Sequence, residues 1–282
     1  MKAHSGDGLA TPAQKIHYTL RIASAMCFIG HGAFGIITKP IWCNYFAVFG
    51  IGHDLAYRLM PLVGTIDILL GLSLLVYPIR AMAGWLVVWG LVTAALRPLS
   101  GEPFAEMIER AGNYGAPLAL LLLSGDGGVS TGGKRGVGLG RLWSRLDPHP
   151  SPDARQFRLV LFCLRMAVFL LLLGHGWLNL IEKKSLLQQY AGLGFPQPAQ
   201  VAHLAGMLEL LAALAVLVRP IRPLLLVFLG WKMATELFYP HWEVFEWVER
   251  GGSYGCVLAL YFALGRNPAR AGSTETKTNF AI

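Results

Sequence analysis

An all-α, polytopic membrane protein is what this sequence predicts, and three observations predict it. The chain of 282 residues is 54% hydrophobic and only 14% charged, with a mean hydropathy of +0.50, too apolar for a water-soluble domain. Its apolar residues gather into runs that approach the length of a membrane crossing, which takes about 20 helical residues. The runs also come in two sets whose motifs echo each other. The expected fold is therefore about eight transmembrane helices, arranged as two parallel four-helix repeats.

Residues 1–15 form a polar tail without the charged start and apolar stretch of a secretory signal, so no cleaved leader is expected. A first unit, 16–124, holds helices near 16–38, 59–77, 82–96 and 104–123. Residues 125–157 are rich in glycine and basic side chains and bounded by prolines, which reads as a flexible cytoplasmic linker. Within it "GGVSTGGKR" comes close to a phosphate loop, but Arg135 stands where Ser or Thr would hold magnesium and no strand precedes it. Lys134, Arg135, Arg141 and Arg145 are expected against lipid headgroups, with Trp143 as an interfacial anchor. A second unit, 158–265, holds helices near 158–181, 201–218, 221–239 and 245–264, and a polar tail follows at 266–282.

The two units share specific phrases. "GHGAFGIITK" at 30–39 returns as "GHGWLNLIEK" at 174–183, "VYPIRAMAGW" as "VRPIRPLLLV", and "ERAGNYGAPLALLLL" as "ERGGSYGCVLALYFA". Arg21 pairs with Arg165, Asp67 with Glu209 and Glu106 with Glu246. Four helices per unit bring each unit back to its starting side, which makes the repeats parallel about an axis along the membrane normal. Most of the 24 Lys and Arg then share the side of the termini, the linker and the short turns. By the positive-inside rule that side is cytoplasmic, in the inner membrane of the cell. Trp42, Tyr45, Tyr190, Tyr239, Trp242 and Trp247 are expected in an aromatic belt at the outer face.

The candidate chemistry lies in the outer half. At a 1.5 Å rise per residue, His31 and Asp67 each lie roughly 10 Å from the outer surface, on consecutive helices. His175 and Glu209 repeat the arrangement, so a histidine and a carboxylate are expected to meet twice. Ionisable groups within a membrane are costly and mark functional sites, so these four are the catalytic candidates; an imidazole held only for helix packing is the structural alternative. Arg97, Lys232, Glu106, Glu246, Tyr114 and Tyr254 are candidate substrate-binding residues. Glu106 with Arg110 and Glu246 with Arg250 have ion-pair spacing on a helix, and Arg97 and Lys232 are placed to hold an anion or to snorkel. Trp89 and Trp231, beside Gly90 and Gly230, join His31 and His175 as candidates to flank a cofactor ring. The cysteines 27, 43, 163 and 256 form no CxxC pair, and neither a disulfide nor a metal is assigned to them.

The stretch "LQQYAGLGFPQPAQVAHLAGMLELLAALAVLVRPIRP" resembles the second-helix region of DoxX/DoxD-like integral membrane proteins. In that family a "YLxxLGxP" element precedes a helix with the pattern "aElxxGlxLlxG" and a short basic turn. Glu209 stands at the family's acidic position and Asp67 at its counterpart, so the chain resembles a tandem duplication of the four-helix unit. Many members carry a lysine near the end of the first helix, where this chain has Gly35 and Asn179, with Lys39 and Lys183 one turn later. The resemblance implies a redox-linked membrane subunit, DoxD-like proteins belonging to thiosulfate:quinone oxidoreductase and DoxX-like ones accompanying thiol and oxidative-stress proteins.

Three functions follow as expectations. In a quinone-linked oxidoreductase subunit, the His–carboxylate pairs relay protons to a quinone and a partner redox protein or bound reductant supplies electrons. In a haem protein, His31 and His175 share one iron, or the two pairs hold a transition metal. In a proton-coupled transporter or an assembly factor, the bundle moves a solute or holds a partner enzyme. The lipid bilayer is the one certain neighbour of such a chain, and no nucleic acid is expected.

Overall fold

A computed structural model describes residues 10–125, 139–237 and 244–265. Among these every extended element is a helix, and five helices are long and apolar enough to cross a membrane: α1 (Pro12–Ile36), α3 (His53–Val76), α4 (Arg80–Leu99), α7 (Ala154–Leu180) and α9 (Pro198–Val218). The expected spans at 104–123 and 245–264 are each broken. Arg110 divides α5 (Ala105–Glu109) from α6 (Ala111–Ser124), and Arg250 divides α11 (Val244–Glu249) from α12 (Gly251–Leu264). The seventh expected span appears as α10 (Arg222–Leu237), and short helices α2 (Trp42–Ala47) and α8 (Lys184–Gly192) fold into the connections between the first two spans of each set.

Local chemistry fixes the helix ends. Thr11 and Gln14 form a reciprocal capping box at the start of α1, and Asp153 accepts from the Gln156 amide at the start of α7, satisfying donors that have no partner within the helix. At the far ends of α3 and α9 the orphaned carbonyls are taken up by guanidinium groups. Arg21 Nε donates to Leu74 O (2.9 Å), and Arg165 donates from Nε to Val216 O (2.8 Å) and from Nη2 to Val218 O (2.6 Å).

The centre of the molecule is built by α1, α6, α7 and α12, which pack on one another. Flanking them, α3 and α4 lie on one side and α9 and α10 on the other, with α1 against α3 and α7 against α9. Two glycines bring the halves close together. A Cβ added at Gly30 would overlap the Glu249 backbone, and one at Gly174 the Glu109 backbone. Outward, α3 and α9 carry exposed stripes such as Leu62, Ile66, Leu69 and Leu204, Leu208, Leu211. Stripes of this kind suit contact with lipid rather than water.

The linker is not a free tether over its described half. Residues 142–146 lie antiparallel to the turn before α4, with Ala81 N donating to Leu142 O (2.7 Å), Arg80 N to Ser144 O (3.1 Å) and Leu146 N to Pro78 O (2.9 Å). Leu146 is buried in the main core, so an apolar residue within a basic segment anchors it. Arg145 sits over the Tyr77 ring (5.0 Å) rather than standing out toward headgroups, while Trp143 is exposed. Lys134, Arg135 and the phosphate-loop-like stretch lie outside the described residues, as do Tyr239 and Trp242.

Candidate functional site

The first histidine meets its carboxylate: His31 Nδ1 lies 2.7 Å from Asp67 Oδ2, with Asp67 buried. An ionised Asp67 can only accept, which puts a proton on Nδ1 and leaves Nε2 as the nitrogen available for other chemistry. Gly32 lets α1 and α3 close at this point, since a Cβ there would press on Gly64 O and Ile68. The second histidine does the same with more company. His175 Nδ1 lies 2.6 Å from Glu209 Oε2; Asn179 Nδ2 also donates to that oxygen (3.1 Å), and Tyr190 donates to Asn179 Oδ1 (2.9 Å).

His31 borders an open pocket that encloses about 600 Å³ of empty space when the solvent at its mouth is included. Its walls are mainly apolar and aromatic, including Trp42, Phe46, Phe49 and Trp89, with Arg97, Arg110, Asn113 and Glu249 as its polar corner. The imidazole lies tilted over Trp42, centroids 4.6 Å apart. Trp89 Nε1 has no acceptor, and Glu249, 6% exposed, faces the positive charges of Arg110, Arg97 and Arg250. Buried polar groups are ordinarily satisfied, so the free indole N–H marks either a ligand's contact or ordered water.

Beneath the pocket the two helix breaks meet. Arg110 donates to Glu106 (2.8 Å) and Glu109 (2.9 Å), and Arg250 reaches across to Glu109 (2.6 Å). Lys183 pairs with Glu106 and Lys39 with Glu246, so each lysine after a GHG segment bonds an acid of the opposite half. A small cavity lined by Glu109, Arg110, Asn113, Glu249, Arg250 and Ser253 lies between the breaks. Gly112 and Gly252 touch there, a Cβ at Gly252 meeting Gly112 O at 2.7 Å.

Several sequence expectations are corrected by these contacts. The anticipated Glu246–Arg250 pair does not form, because Lys39 takes Glu246 while Arg250 turns to Glu109 and, at 3.5 Å, Glu236. Lys232 neither snorkels nor faces solvent: it is 3% exposed, 2.9 Å from Glu236 and 4.0 Å from Glu209. Tyr254 is buried and donates to Glu236. Trp231 is 47% exposed and stands on the outer surface, unlike Trp89. Tyr114 is half-buried and lines neither cavity. Trp42, Tyr45 and Tyr190 are buried rather than belted at the surface. Tyr45 donates to Glu102 (2.5 Å), and burial keeps its phenol well above the usual range, hence neutral. Arg97 is held by Glu102 (3.2 Å) and lies 3.6 Å from Glu106, leaving it at the pocket wall.

Sequence reasoning passed over Glu109, Arg110, Glu249, Arg250 and Glu236 as site residues. The repeated "ER" of "ERAGNYG" and "ERGGSYG" is the signal that points to the first four. The His31 pocket does not include His175, and each histidine engages its own carboxylate through Nδ1, which leaves Nε2 as its ligand nitrogen. Among the described residues no three His, Cys, Asp or Glu side chains group as metal ligands. No protein family, no curated protein and no solved structure matches the chain.

Proposed function

We propose that this chain is the membrane subunit of a quinone-linked redox system, built as a duplicated DoxX-like four-helix unit with eight spans. On this reading it lies in the inner membrane with both termini cytoplasmic. Matched bonds in the two halves support the duplication, above all the helix-capping Arg21 and Arg165. One observation carries the function: a flat-walled apolar pocket among membrane helices that brings together a His–carboxylate pair and an unsatisfied indole N–H.

Quinone reduction consumes two electrons and two protons, and a bound quinone would supply the electron-accepting ring. The protein's part is proton handling and positioning. His31, kept in one tautomer by Asp67, offers Nε2 for exchange of a proton with a ring oxygen. Trp89 offers an N–H to a carbonyl, and Trp42 and Phe46 offer surfaces for stacking. Arg97 and Arg110 favour negative charge on the ring oxygens as electrons arrive. Electrons come from a partner redox protein or a bound reductant such as thiosulfate.

The test is to extract and quantify quinone from the purified protein and from His31→Ala and Asp67→Asn variants. The reading expects near-stoichiometric quinone in the wild type and at least about a tenfold loss in both variants, roughly the 1.4 kcal/mol of one good contact. Wild-type protein that neither carries quinone nor binds an added one defeats it. A proton-coupled carrier is favoured by one observation, the helix breaks at Arg110 and Arg250 around buried charge. Solute-dependent proton uptake into proteoliposomes, with no quinone bound, would establish that reading instead.

A further inference from the structure

The two histidines occupy matched places in the sequence, yet their surroundings have diverged. The register of α4 against α10 is fixed by a repeated pair of bonds. Thr93 donates to Trp89 O (3.0 Å) and Gly90 O (3.2 Å), and Thr235 donates to Trp231 O (3.0 Å) and Lys232 O (3.2 Å). Gly90 therefore corresponds to Lys232, and Ala94 to Glu236. In the first half these small residues let α4 close directly on α6, where a Cβ at Gly90 would meet Asn113 O at 2.9 Å. The neighbouring space, beside His31, is the pocket.

In the second half the same two positions carry a buried ion pair. Lys232 and Glu236 are 3% and 4% exposed and 2.9 Å apart. Glu236 also accepts from Tyr254 and lies 3.5 Å from Arg250. Around His175, Asn179 replaces the Gly35 of the first half and ties histidine, carboxylate and Tyr190 into one network. The space that a pocket takes beside His31 is thus filled beside His175 by the chain's own side chains. On the His31 side small residues leave it open, with Glu249 from the other half at its wall and Trp89 Nε1 without an acceptor.

We infer that, among the described residues, the chain has one ligand site rather than two. The site is the pocket beside His31, completed by Glu249 from the second half. The His175–Glu209 pair is a structural centre in which Lys232 and Glu236 occupy the place that a ligand takes beside His31. This asymmetry of space is the same whatever the ligand's chemistry.

Titration of the purified full chain with decylubiquinone, read by equilibrium dialysis, tests the count. One molecule should bind per chain. Val63→Trp, which puts an indole into the pocket, should weaken binding at least tenfold, and Lys232→Gly/Glu236→Ala should leave it within about threefold. Two molecules per chain in the wild type, or unchanged binding in Val63→Trp, would overturn the inference. If no quinone binds, the quinone proposal fails by itself, and melting temperatures decide this one. Glu236→Gln, which breaks the Lys232 ion pair, should melt roughly 5 °C lower, while Val63→Trp, which fills open space, should stay within about 2 °C of wild type. The reverse order overturns it.

Discussion

Single residues show how far a repeated sequence motif can be trusted. Arg21 and Arg165 are visible in the sequence as a matched pair, but nothing in spacing alone says that each would clasp the last carbonyls of the following long helix. The geometry explains the match, because a helix C-terminus leaves carbonyls unpaired at the negative end of its dipole. Replacing Arg165 by Met keeps much of the stem and removes the donors. It should cost about 1–3 kcal/mol, the range for hydrogen bonds to a charged group, and appear as a lower melting temperature with quinone binding intact. An unchanged melting temperature would mean that the contacts to α9 contribute nothing. The meeting of His31 with Asp67 was legible from depth along two helices. Burial of Trp42, Tyr45 and Tyr190 was not, because an aromatic near a membrane surface reads the same whether it faces headgroups or covers a pocket.

At the scale of elements, the long apolar helices follow directly from composition, whereas the broken ones do not. A run such as 104–123 looks continuous because its charges are few, yet it breaks at Arg110, which bonds Glu106 and Glu109 of the preceding turn. Glu109 is shared between Arg110 and Arg250, so the two breaks support each other across the molecule. Their junction depends on the bare backbones of Gly112 and Gly252, where a side chain has no room to move aside because the obstruction is main chain. Gly112→Leu should therefore disturb the α6–α12 crossing and convert the protein to a protease-sensitive form in detergent. Ala substitution at Gly84, where an added Cβ meets nothing within 4 Å, provides the control and should be silent. Equal protease resistance in both variants would contradict the proposed junction.

For the molecule as a whole, the repeated motifs supply a frame and the differences between the two sets supply the proposed site. The frame is read from the echoes GHG, PIR and ER–YG. The divergence rests on pairs such as Gly90 with Lys232 and Gly35 with Asn179, whose meaning appears only once the halves are packed together. The pocket draws its walls mainly from the first half and one buried carboxylate from the second, so neither unit alone contains it. The most direct measurement of the central claim is photolabelling of the full-length protein in lipid with an azido-quinone, followed by peptide mapping. The account predicts label on the segments holding Trp42, Phe46 and Trp89, reduced by His31→Ala and by excess decylubiquinone. Label confined to the segments around His175 and Trp231, or label that excess quinone does not displace, would contradict it.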